Sequence, residues 1–303
     1  MPYLGEIAAL ITSLSFAFTA TFFTFGGRLV GSEIVNRTRL LFGLALLLFS
    51  HRLFLGTLFP FGVDGQRWLW LGLSGVIGLS LGDAFLFQAF LWIGPRLAML
   101  LMSLAPVLAA LLAWVFLGET LNIGQMTGIL LTIGGVVWVI LERNQHAPSE
   151  NPSPPRPHFG IGILFGLGAA TGQALGLLLS KLGLYGGFSA LSGNLIRMSA
   201  AAAAIWLYTL LRGQAGNTLR QLTQRPQSLP YILGGAVFGP LIGVSLSLLA
   251  VQRTEVGIAS TLIALTPIFM LPIGALVFKE RFGWQAVAGT LLAILGVGLL
   301  FLS

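Results

Sequence analysis

The residue whose type and setting point most directly to chemistry is Asp83, in Leu79-Ser80-Leu81-Gly82-Asp83-Ala84-Phe85, where the nearest charges in sequence are Arg67 and Arg96. A carboxylate inside an apolar run can bind a cationic group, exchange a proton, or anchor a structural ion pair. Arg39 and Arg197 are cations set in apolar runs of their own, each suited to an anionic group such as a carboxylate. The competing role for each is to snorkel toward a polar boundary. Gln88, one helical turn beyond Asp83, and Gln173 add uncharged donors and acceptors, as do the hydroxyls of Thr12, Ser15 and Thr19. These hydroxyls are expected to bond carbonyls of their own helix, and Asn36 and Asn194 are expected to link helices. No catalytic set accompanies them: the chain has no Cys, its three His (His51, His146, His158) are dispersed, and neither HExxH nor GxxxxGK[ST] occurs. We therefore expect no enzyme, no metal site and no cofactor.

The elements that must hold these groups follow from composition. Only 8% of the 303 residues are charged, 56% are hydrophobic, and the mean hydropathy is +0.92. A soluble domain is roughly 25% charged, so lipid must replace water around most of this chain. The net charge of +7 is spread singly between apolar runs rather than gathered into a basic patch, which argues against nucleic acid. A bilayer core needs roughly 20 apolar residues per helix. Such runs lie at 4–26, 33–50, 68–92, 95–117 and 122–141, then at 159–183, 188–211, 229–251, 256–278 and 282–302. The first run lacks a basic leader and is expected to be a retained helix. Between the two sets of five stands ERNQHAPSENPSPPRPH, residues 142–158, whose prolines and polar side chains predict an extended linker. The expected organisation is thus 1–141, a linker at 142–158, and 159–303.

The two sets repeat. A shift of 161 residues pairs Gly78 with Gly239, Gly82 with Gly243, Pro106 with Pro267, Glu119 with Glu280, Gly128 with Gly289 and Gly135 with Gly296. A shift of 158 pairs Asn36 and Arg39 with Asn194 and Arg197. Asp83 is matched by Val244, so the shared fold does not demand an acid there. An odd number of helices per unit turns the second unit over in the membrane, the architecture of many secondary transporters. The paired glycines, with Gly168, Gly172 and Gly176, predict close helix packing, and Pro106 and Pro267 predict kinks or hinges. At about 1.5 Å per residue, Arg39 and Asp83 lie about 9 and about 13 Å from the same side, close enough to meet.

Ser103-Leu104-Ala105-Pro106-Val107, Leu117-Gly118-Glu119-Thr120-Leu121, Gly128 and Gly134-Gly135 recur as Leu265-Thr266-Pro267-Ile268, Phe278-Lys279-Glu280-Arg281-Phe282, Gly289 and Gly296. This doubled pattern resembles EamA-type members of the drug/metabolite transporter superfamily over nearly the whole chain. The resemblance implies a ten-helix carrier in the cell membrane that exports a small metabolite, amino acid or drug-like compound by alternating access, with proton or ion coupling. A departure stands in the first helix, where Leu14-Ser15-Phe16-Ala17 replaces the Trp-Gly pair of many members. Lys and Arg favour the odd-numbered connections ten to four, which the positive-inside rule reads as termini outside; the resemblance implies termini inside. Both orientations stay open, as do monomer and homodimer. A membrane subunit that binds a ligand without moving it is the alternative function, which an inverted repeat disfavours.

Overall fold

The computed structural model describes residues 3–117, 121–145, 158–253, 261–280 and 283–302, and the elements among them are helical. In the first half, α1 is Leu4–Val30, α2 Ser32–Leu55, α3 Gly65–Trp92, α4 Pro95–Met102 continued by Ala105–Leu117, and α5 Ile123–Gln145. In the second half, α6 is Phe159–Gly183, α7 Ala190–Leu211 and α8 the short Ala215–Gln224. Then α9 comprises Ser228–Ala236, Val237–Gly243 and Val244–Arg253, α10 is Thr266–Leu276, and α11 is Trp284–Leu302. Nine helices among the described residues are long and apolar enough to span a membrane, and the shorter Thr261–Leu276 stands where the tenth is expected. Part of the expected span 256–278, most of the linker, and Glu119 lie outside the described residues.

Two local departures have simple causes. The sequence offers no apolar run for α8, because AGNTLRQLTQ is a mixed segment too short to span a bilayer. The paired prolines do not kink continuous helices. Pro106 and Pro267 stand at the starts of Ala105–Leu117 and Thr266–Leu276, just after tight turns in which Leu104 N–H donates to Leu101 O (3.0 Å) and Leu265 N–H to Leu262 O (3.2 Å). The first helical turn needs no donor from Pro, so the ring begins a new segment there. The α1–α2 and α3–α4 turns are each made by a glycine at φ +86°, Gly31 and Gly94, a conformation costly to residues with a Cβ.

The inverted relation can be read from contacts. A Cβ on Gly128 would stand 2.6 Å from Gly296 O, and one on Gly135 2.5 Å from Gly289 O. Since Gly128 is the repeat mate of Gly289 and Gly135 that of Gly296, α5 and α11 meet antiparallel, each presenting the same residues to the other. That reciprocity is the signature of a two-fold axis lying in the membrane plane. The first helices are exchanged between halves in the same way. On α6, Gly172 and Gly176 abut Gly82 and Gly78 of α3, while α1 sets Phe16 and Thr19 against Gly243 and Gly239 of α9. The eight helices other than α5, α11 and α8 surround the centre, and α2, α3, α7 and α9 meet there.

Apolar side chains gain little by leaving lipid for one another, so close approach through small residues has to hold such helices together. Gly135→Leu should therefore lower the melting temperature of the detergent-solubilised protein by several degrees, an overpacking cost of about 1–3 kcal/mol. Gly134→Leu, at a site with nothing within 4 Å of the added Cβ, should leave it unchanged. Equal responses would mean that α5 and α11 do not pack as described.

Candidate functional site

The charges gather where α3 changes its winding. Gly75–Gly82 is π-helical, and so is Val237–Gly243 at the matching place in α9. Such wider turns occur often at functional sites. The carbonyls of Leu79 and Ser80, both in the π-helical stretch, accept side-chain donors from α2. Arg39 Nη2 donates to Leu79 O at 2.7 Å and also to Asp83 Oδ2, Arg39 Nε donates to Asn36 Oδ1 at 3.1 Å, and Asn36 Nδ2 donates to Ser80 O at 2.9 Å. The guanidinium centre lies 4.9 Å from the ring centre of Phe87 and 6.0 Å from that of Phe23. Arg39 is 3% and Asp83 6% exposed. Arg39 thus turns inward onto Asp83 rather than outward to the headgroups.

Arg197 approaches the same stretch of α3 from α7. The two backbones are so close that a Cβ on Gly75 would stand 2.0 Å from Arg197 O. On the next turn, Arg197 Nη2 and Gln173 Oε1 flank Gly78, 3.7 and 3.3 Å from where its Cβ would be. Arg197 lies near enough for its charge to act on Asp83, yet it makes no ion pair among the described residues. Its Nε is buried without a protein partner, as are Asn194 Nδ2 and Thr38 Oγ1. The centre therefore holds two guanidinium groups and one carboxylate, a surplus of one positive charge.

Of the residues singled out in the sequence, Asp83, Arg39, Arg197 and Gln173 come together. Gln88 does not join them: it accepts from Ser32 Oγ and lines a recess of about 350 Å³ with Glu33, Arg37, Gln214 and Asn217. Gly78, Gly82, Gly239 and Gly243 all stand at close helix approaches, and Pro106 and Pro267 begin helical segments in α4 and α10. Thr12 and Thr19 donate to Ala8 O and Ser15 O in their own helix, each at 2.8 Å. Glu280 accepts from Arg96 Nε at 3.1 Å, tying the end of α10 to the start of α4.

Sequence reasoning did not single out Arg37. Arg37 lies inside α2, 3% exposed, and bonds Glu33 (2.8 Å), Gln214 (2.5 Å) and Thr218 (3.2 Å), the last two at α8. Glu33 four residues before Arg37 was a readable signal; the partners at α8 were not. Among the described residues no cluster of three His, Asp or Glu could hold a metal ion.

Removing one partner of a buried ion pair strands the other. Arg39→Met should destabilise the protein by on the order of 3 kcal/mol, and adding Asp83→Leu should recover most of that loss. A double variant no more stable than the single one in thermal unfolding would show that Arg39 and Asp83 are not energetically coupled.

Comparison with known proteins agrees with this architecture. No curated protein matches the chain in sequence. One solved structure, described only as the crystal structure of a protein, covers 99% of this chain and 96% of its own at a TM-score of 0.62 and 16% identity, a likeness of fold. The EamA-like transporter family matches residues 3–141 and again 160–302. With five apolar helices matched in each half and an inverted packing between them, the chain belongs to the EamA-like transporter family and is a multi-pass membrane protein of the drug/metabolite transporter type.

Proposed function

We propose that this chain is a secondary carrier of the cell membrane that moves a small metabolite, amino acid or drug-like compound outward by alternating access. The observation that carries this reading is the unequal state of two equivalent seams. Toward the face that bears the α1–α2 and α3–α4 turns, α2 packs along the Asp83–Trp92 part of α3, and Ser80 and Asp83 are buried. Toward the other face, the matching seam is between α7 and the Val244–Arg253 part of α9. It makes little contact among the described residues, and Leu241 and Val244 are only half-buried. One seam shut and its symmetry mate loosened is what a carrier looks like when open to one side, and exchanging the two arrangements opens it to the other.

In this reading 1–141 and 159–303 are the two repeats, residues 142–158 tether them, and the moving parts are the helices on either side of each seam, α2 against α3 and α7 against α9. Asp83 is the proton-coupling group, because protonation would release Arg39 and loosen the shut seam. Gln173 and Arg197 face the substrate path, and Gln88 serves its mouth. Purified protein in proteoliposomes, offered amino acids, purines, sugars and cationic drugs with and without a pH gradient, should show saturable uptake that the gradient enhances. Asp83→Asn should remove the enhancement; full transport with unchanged pH dependence would exclude Asp83 from coupling. Specific binding without flux by folded protein would instead favour a ligand-binding subunit.

A further inference from the structure

Asn36-x-x-Arg39 on α2 and Asn194-x-x-Arg197 on α7 are the same device used twice. In the first half it is complete: Asn36 Nδ2 reaches Ser80 O, Arg39 Nε reaches Asn36 Oδ1, and the guanidinium meets Asp83. In the second half the equivalent atoms, Asn194 Nδ2 and Arg197 Nε, are two of the three buried polar side-chain atoms with no protein partner among the described residues. The repeat mates of Ser80 and Asp83 are Leu241 and Val244. Closing the α7–α9 seam as the α2–α3 seam is closed would bring Asn194 to the Leu241 carbonyl, which a backbone supplies whatever the side chain. The same closure would bring Arg197 to an isopropyl group where Arg39 has a carboxylate. A guanidinium keeps its charge, and sealing an unpaired charge away from water is strongly unfavourable.

We infer that Asn194 and Arg197 form the binding site for a carboxylate carried by the transported molecule, which takes beside Val244 the place that Asp83 takes in the other half. The inference rests on the carrier reading and names its substrate class: a small carboxylate-bearing compound whose remainder is accommodated by the half-buried, largely apolar wall of α9. Three observations converge on it. Arg197 makes no ion pair among the described residues; the centre has one positive charge in surplus; and Gln173 Oε1 stands beside Gly78 near Arg197 Nη2, where it could accept from a donor elsewhere on the same ligand. Substrate loading then does more than fill a cavity. It supplies the negative charge without which the second seam cannot shut, so closure depends on occupancy.

The test uses purified full-length protein and two readouts, ligand-induced thermal shift in detergent and uptake into proteoliposomes. The probes are the L-amino acids, lactate, benzoate and succinate, each beside its amide, together with inorganic phosphate. At least one carboxylate should raise the melting temperature while its amide does not. Val244→Asp should weaken that ligand on the order of tenfold or more by supplying an internal carboxylate to Arg197, and so should Arg197→Gln. Val244→Asn, of the same size without the charge, should retain binding. Without any ligand, Val244→Asp should melt above Val244→Asn, because its carboxylate pairs with Arg197; this arm requires no knowledge of the substrate. The inference is overturned if carboxylate and amide bind alike, if no carboxylate or only phosphate binds, or if Val244→Asp leaves binding intact. Flux that ignores Val244→Asp and Arg197→Gln would sink the site and spare the carrier. Carboxylate binding that needs Arg197, with no flux, would do the reverse.

Discussion

Placing an ion inside hydrocarbon costs at least a few kcal/mol, and the centre of this protein is organised around meeting that cost for Arg39 and Asp83. Neither group is simply neutralised by the other. Arg39 also needs the carbonyl of Leu79, and Asn36, which positions its Nε, needs the carbonyl of Ser80. Both carbonyls lie in the π-helical part of α3, so the backbone that carries the acid also supplies acceptors to the base. The packing of α2 on α3, the placing of Phe23 and Phe87 around the guanidinium, and the burial of the whole group depend on this arrangement.

The neighbouring glycines follow from the same constraint. A charged centre can be kept dry only if helices close over it, and in a membrane small residues permit that closeness. Gly75 admits the backbone of α7, and Gly78 and Gly82 admit α6. Their mates in α9 serve α1 at the same two positions with a phenyl ring and a threonine in place of glycines. The backbone plan of the two halves is therefore shared, and the side chains divide the labour: a charged and amide-bearing wall against α3, and an aromatic wall, including stacked Phe22 and Phe238, against α9.

Much of the fold was legible because the bilayer imposes a length scale and the repeat imposes a register. Apolar runs of the required length located the spanning helices, and a common offset for Pro106, Pro267, Glu119 and Glu280 exposed the duplication. The meeting of Arg39 with Asp83 followed from depth alone, as both had to lie at similar distances from one face. What the sequence hid depended on contacts between distant segments or on backbone winding. Nothing near Gln214 or Thr218 announces that they bond Arg37, more than a hundred residues away. The π-helical stretches have no composition of their own; Pro240 explains a missing donor in α9, while Leu79 at the equivalent place in α3 carries none of that restriction. The approach of Arg197 to α3 was likewise unreadable, since nothing in its sequence surroundings names a partner in the other half.

That approach also bears on how the molecule can move. An Arg whose symmetry mate is paired with a carboxylate, but which itself has no carboxylate partner among the described residues, marks the half of the protein that its own residues leave incomplete. A two-state element responds to a ligand only as far as the ligand binds the two states differently. In the proposed reading the difference is electrostatic: Arg197 is only half-buried while the seam is loosened, and a shut seam would bury it fully. A ligand that brings the compensating charge lowers the energy of the shut state far more than that of the open one. A neutral ligand of the same shape gains no such advantage. Under the proposed carrier reading, the asymmetry between Asp83 and Val244 would let a duplicated scaffold, whose two seams would otherwise be equivalent, close one seam by itself and the other together with its cargo.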